Sequence, residues 1–107
     1  TRLAACDVLA LVFDEQGEML TTGAVGDSLG FGLPTLRSEW GYLVEHLGDA
    51  GIPVGQSAES IAAALDALTD ADLDRARSAA LQRRDELDWS VLAGPTADLF
   101  DEVLLRR

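Results

Sequence analysis

Thr21-Thr22-Gly23-Ala24 is the stretch of this chain best suited to hold an anion. It stands between an apolar, strand-like run and a helix-like one, so its backbone amides fall at a helix N-terminus. Free N–H groups and the positive end of the helix dipole favour a phosphate there by ~0.3–1 kcal/mol, and by up to ~2 kcal/mol when partly buried. Gly23 would let a ligand approach the backbone closely. One turn further on, Asp27 offers a carboxylate that can accept hydrogen bonds from ribose hydroxyls. Both features also have plain structural readings. Capping threonines are common, and Asp27 serves equally well as a solvated acid on a helix face.

A second polar group gathers around Glu39, Glu45 and His46, the only histidine. His46 lies near a helix C-terminus, where the dipole stabilises its cation; a structural role is the simpler expectation. Asp14, Glu15 and Glu18 could meet a divalent cation but lack the regular ligand spacing of a calcium loop, so a solvated loop is expected and no metal. Arg75, Arg77, Arg83 and Arg84 alternate with acids and read as a helix face laced with ion pairs. Cys6 stands alone, which excludes a disulfide framework and a cysteine-based zinc cluster, and reads as a small core residue.

These residues need elements to position them. Val8 to Phe13 is a continuous apolar run, the pattern of a strand covered on both faces. Thr21-Thr22-Gly23 opens a short helix reaching to about Gly30, with either threonine as its cap. Pro34 to Arg37 reads as a second strand, Tyr42 to Leu47 as a helix closed by Gly48, and Gly51 to Gly55 as a third strand whose proline favours a sheet edge. Ser57 caps a helix with Ile61, Leu65 and Leu68 on one face. Thr69-x-x-Asp72 is a capping box opening a helix with Leu73, Ala76, Ala80, Leu81 and Leu87 inward. Asp88 caps a last helix bearing Trp89, Leu92, Leu99, Phe100, Val103 and Leu104. Pro95 should kink or restart that helix. Strands alternating with helices indicate an α/β fold with a parallel sheet, in one domain over residues 1–107 whose closing segment, 88–107, is kinked.

The chain has 107 residues, 48% of them apolar and 25% charged, ordinary values for a single globular domain. No apolar run reaches the ~18–20 residues of a membrane helix and no signal peptide is evident, so a cytoplasmic protein is expected. Nineteen acids against eight basic residues give a net charge of −11. That field opposes the phosphate neutralisation nucleic acid requires, so no nucleic-acid partner is expected. All eight basic residues are arginine; without lysine, Schiff-base and Walker-A chemistry are excluded. The chain opens at Thr1 and its only methionine is Met19. Three strands also make a poor doubly wound sheet by themselves, with an apolar edge left open. A piece of a longer protein, with strands missing upstream, is the expectation.

From Ala4 to Gly55 the order of motifs resembles the C-terminal nucleotide-sugar-binding half of retaining GT-B glycosyltransferases, the group-1, family-4-like enzymes. The counterparts are Asp7 at the first strand, Thr21-Thr22-Gly23 at the turn and Gly32-Leu33-Pro34 before the second strand. Ser38-Glu39-Trp40-Gly41, Glu45, Gly48-Asp49-Ala50-Gly51 and Trp89 follow in the family's order. The resemblance spans essentially the whole chain. It implies a partial Rossmann-like parallel sheet of about three strands flanked by helices, and a donor that is a UDP- or GDP-linked sugar. It also implies that the backbone at Thr21, Thr22, Gly23 and Ala24 contacts the donor diphosphate and that Asp27 binds the ribose. No cofactor is implied, and no catalytic residue can be carried over.

Two departures from the family's pattern stand out. The family's pair of glutamates is separated by seven residues, and the position eight before Asp27 is Met19; Glu18, its neighbour, is the candidate for contact with the sugar. The basic residues that neutralise the diphosphate would lie upstream of Thr1, as would the acceptor-binding N-terminal domain, which is the implied partner. The resemblance leaves membrane association of the intact enzyme open, and implies that this piece alone is inactive. Part of the apolar surface of 88–107 is then expected to face the N-terminal domain, with Trp89 buried. A nucleotide-sugar epimerase of the same fold and a non-catalytic interaction domain are the alternatives.

Overall fold

The computed structural model describes residues 2–13 and 22–106. After a 3-10 turn at Leu3–Ala5 come β1 (Leu9–Leu11), α1 (Ala24–Gly30), β2 (Thr35–Arg37) and α2 (Gly41–Leu47). A second 3-10 turn, Gly48–Ala50, leads into β3 (Gly51–Pro53), and α3 (Ala58–Ala67), α4 (Asp70–Glu86) and α5 (Trp89–Leu105) complete the chain. The strands form one parallel sheet in the order β1-β2-β3. Leu9 pairs with Thr35 and Leu11 with Arg37, while Thr35 pairs with Gly51 and Arg37 with Pro53. Parallel neighbours need a crossover, and α1 and α2 supply the two crossovers. The fold is therefore α/β with a three-stranded parallel sheet flanked by helices, and Pro53 sits on an edge strand as expected.

Burial along the sheet differs from the apolar pattern. β1, the most apolar strand, lies at an edge; Leu11 is buried but Ala10 is exposed. β2 is central and buried at all three positions, although it reads Thr-Leu-Arg. Its polar groups are satisfied locally. The buried Ser28 and Thr35 hydroxyls bond each other, and both also reach the Leu33 carbonyl.

Leu9, Leu11, Thr35 and Arg37 share the sheet face that meets α1 and α2. There Leu11 joins Val25 and Leu29 of α1, Leu43 and Leu47 of α2, Trp40, Ala50 and Ala80 of α4 in one core. α4 crosses α1 and the Gly48–Ala50 turn, and its small residues Ala76 and Ala80 allow that close approach. Gly32, with φ of 64°, ends α1 in a conformation that disfavours a side chain. A Cβ there would also fall 2.7 Å from the Leu81 side chain.

Helix starts follow the sequence signals. Ser57 accepts from the Ser60 amide, Thr69 and Asp72 form the full capping box, and Asp88 accepts from the Ser90 amide. The inward faces are narrower than the periodicity suggests. Leu65, Leu81 and Leu87 are exposed, although Leu81 rests on Gly32 at the end of α1. Cys6 is half-buried outside the core, its thiol donating to the Arg2 carbonyl at 3.3 Å.

α5 runs unbroken through Pro95 and does not restart there, and the Thr96 hydroxyl donates to the Leu92 carbonyl at 2.7 Å beside the missing proline amide. Trp89 is not buried: 79% of it is exposed, and no residue of α5 is buried. The radius of gyration is 16.4 Å, against ~13 Å for a compact domain of this length, because this helix stands off the body.

Candidate functional site

In a parallel sheet the loops after the strands gather at the carboxyl edge, where open α/β sheets bind ligands. Here three such loops meet on the backbone of one residue. Phe13, just past β1, donates its amide to the Ser38 hydroxyl at 3.0 Å, and the Ser38 hydroxyl donates back to the Phe13 carbonyl at 2.8 Å. Ser38 directly follows β2. Gln56, beyond β3, adds its Nε2 to the same carbonyl at 3.4 Å. The edge is thus closed by a hydroxyl and an amide that replace further strand pairing.

The start of α1 is tied to the same edge. Tyr42, in the first turn of α2, donates its hydroxyl to the Thr22 carbonyl at 3.4 Å. The Thr22 hydroxyl accepts from the Ala24 amide at 3.3 Å, so Thr22 caps the helix from one residue before the N-cap position, Gly23. Among the described residues, a side chain at Gly23 would meet nothing within 4 Å. The first-turn amides of Val25 and Gly26 have no carbonyl four residues back within the helix. Asp27 is exposed, and its carboxylate makes no hydrogen bond among the described residues.

Thr22, Gly23, Ala24 and Asp27 therefore lie together at the helix start, as the sequence suggests. Thr21 and Glu18 lie outside the described residues, as do Asp14 and Glu15. The Glu39–Glu45–His46 group does not assemble. Glu39 pairs with Arg37, Glu45 lines a cavity of about 190 Å³ with Gly48 and Arg83, and His46 stacks on Tyr42 with ring centroids 4.3 Å apart. On α4, Arg75, Arg84 and Arg83 pair with Asp72, Asp85 and Glu86, whereas Arg77 makes no ion pair among the described residues. Among the described residues no group of three or more histidine, cysteine, aspartate or glutamate side chains could hold a metal ion. No helix there is long and apolar enough to cross a membrane.

Sequence reasoning missed the residues that build the edge. Phe13, Trp40 and Tyr42 form an aromatic row beneath it, Phe13 edge-on to Trp40 at 6.1 Å and Trp40 tilted on Tyr42 at 5.3 Å. Arg37 is the larger omission. Its side chain is only 9% exposed, its Nη1 lies 3.2 Å from the exposed Glu39 carboxylate, and its Nε has no hydrogen-bond partner among the described residues. It lies across Gly51, where an added Cβ would come within 2.8 Å of Nε. Burying a guanidinium with one solvent-exposed countercharge is costly. The available signal was an arginine ending an otherwise uncharged strand, three residues after the Gly-Leu-Pro that leads into it.

Compared with known proteins, the chain matches no family model, no curated protein and no solved structure.

Proposed function

We propose that this chain is the donor-binding part of a GT-B glycosyltransferase, holding a nucleoside-diphosphate sugar at the carboxyl edge of its sheet. The observation that carries this reading is the helix start at Thr22–Ala24. It is tied by Tyr42 to the loops that Ser38 and Gln56 lock together, and no described residue fills the space over Gly23. In this reading the diphosphate lies on the amides at Thr22, Gly23 and Ala24, and Asp27 takes the ribose hydroxyls. The parts it assigns to Thr21 at the diphosphate and Glu18 at the sugar fall outside the described residues. Amides and a helix dipole aimed at the departing diphosphate would stabilise the charge that develops as the glycosidic bond breaks. The Rossmann-like architecture and the missing N-terminal domain belong to this same proposal.

The chain alone carries a net charge of −11, which repels an anionic ligand. Binding by the isolated chain is therefore expected to be weak, with Kd on the order of 1 mM or above, or roughly 4 kcal/mol. Backbone amide shifts recorded while UDP-glucose and GDP-mannose are titrated in test the reading. Shifts concentrated on Thr22 to Asp27, several-fold weaker in Asp27→Ala, are the expected result. Shifts centred on Arg83 and Arg84, or none with either donor, would sink it.

A second reading, a non-catalytic interaction module, is favoured by one observation, the uncovered apolar surface of α5. The same titration separates the two, since such a module gives no shifts at the helix start.

A further inference from the structure

α5 combines three properties that bear on what covers it. The first is periodicity: Trp89, Leu92, Thr96, Leu99 and Val103 are spaced three, four, three and four apart, the seam of a paired helix, and Ala93, Ala97, Phe100 and Leu104 widen it. The second is area. Trp89 and Phe100 are 79% and 65% exposed, with Leu99, Val103 and Leu104 also in water. The two aromatics alone leave on the order of 300 Å² uncovered. A symmetric pair doubles every contribution, and with the aliphatic residues it reaches the ~1,200 Å² at which stable interfaces begin. The third is charge. At its start Asp85 and Glu86 are already paired with Arg84 and Arg83, and at its end Arg106 is paired with Glu102, so neither end presents a strong charge of one sign. Only four acids lie from Asp88 onward, against two arginines, and most of the net −11 is carried elsewhere.

We propose that α5 is a self-association helix: two copies of the chain pair through this seam, antiparallel about a two-fold axis at Thr96. Antiparallel pairing sets Trp89 against Val103, Leu92 against Phe100 and the small Ala93 against Leu99, whereas parallel pairing stacks Trp89 on Trp89 and Phe100 on Phe100. A two-fold contact of this kind is self-complementary and closes without forming a filament. The pairing does not use the carboxyl edge, so self-association and donor binding are read by separate measurements.

Sedimentation of the full chain from micromolar to millimolar concentration tests it. The expected result is a reversible monomer–dimer equilibrium whose dissociation constant rises at least about tenfold in Phe100→Asp, while the melting temperature of the dilute monomer stays put because α5 lies outside the core. Orientation is read from spin labels on Thr96→Cys and Ser90→Cys in a Cys6→Ser background. Labels at 96 should meet closely, and those at 90 should lie about 18 Å further apart along the helix axis. A chain monomeric throughout, a dimer indifferent to Phe100→Asp, or labels at 90 as close as those at 96 would each overturn the proposal.

Discussion

Ala80, in the middle of α4, is fully buried, while Trp89, three residues past the end of the same helix, stands mostly in water. The smaller residue has far less apolar surface to gain from burial, yet it is the one the body covers. α4 meets α1 and the Gly48–Ala50 turn through alanines because those elements already present Val25, Leu29 and Leu47 as the bulk of the core. By the time the chain reaches α5, the sheet face is filled, and the larger side chains have no place left in the body. Apolar content therefore separates two uses here, cohesion within the body and a surface held ready outside it.

The sharpest way to break that contrast is within the body. Leu43 is wholly buried in the core, so Leu43→Ala should cost ~2–5 kcal/mol, a large share of the ~5–15 kcal/mol typical of a domain. Urea melts followed by circular dichroism would measure it. A loss below ~1 kcal/mol would mean that the core around α2 is not the cohesive centre described here.

A middle-sized effect is expected where α4 starts. Thr69→Ala removes the hydroxyl that accepts from the Asp72 amide and should cost ~1 kcal/mol. The Thr69 amide, the Thr69 hydroxyl and Arg75 hold the Asp72 carboxyl below its ordinary value, and Ser90 does the same for Asp88. Folding thus favours the charged forms. Their contribution is present above the unfolded aspartate value and is lost as the pH falls through the folded one. Melts repeated down to strongly acidic pH should show a stability loss that is smaller in Asp72→Asn than in the parent chain.

Trp89→Ala should give the smallest change, within ~0.5 kcal/mol for the dilute monomer, as at an ordinary surface site. A loss of several kcal/mol would place the indole in a core and erase the distinction between body and arm.

The sequence carried the elements further than it carried their neighbours. Ser57, Thr69 and Asp88 mark helix starts by chemistry confined to a few residues, and each caps its helix. Periodicity likewise places Ala76 and Ala80 correctly, yet it equally nominates Leu65, Leu81 and Trp89, because a helix face says nothing of what lies opposite. The strand burials went astray for the same reason. Val8–Phe13 is apolar enough to be central but lies at an edge, while β2 buries a threonine and an arginine through partners on α1 and in the next loop. Of the candidate site, the start of α1 was legible from Thr22 and Gly23. The knot that holds it was not, since Phe13 and Ser38 lie 25 residues apart and Phe13 and Gln56 lie 43 apart.

The edge position of β1 has a consequence for how the chain behaves in concentrated solution. A strand with one unpaired side and six apolar residues in a row is a template onto which another chain can add. In sequence, Asp7 stands immediately before this run and Asp14-Glu15 immediately after it, the flanking pattern of gatekeeper charges. Those charges turn stacking into repulsion, and the net −11 strengthens it. The flanks of the run, and not the run itself, therefore decide whether one chain can add to another at β1.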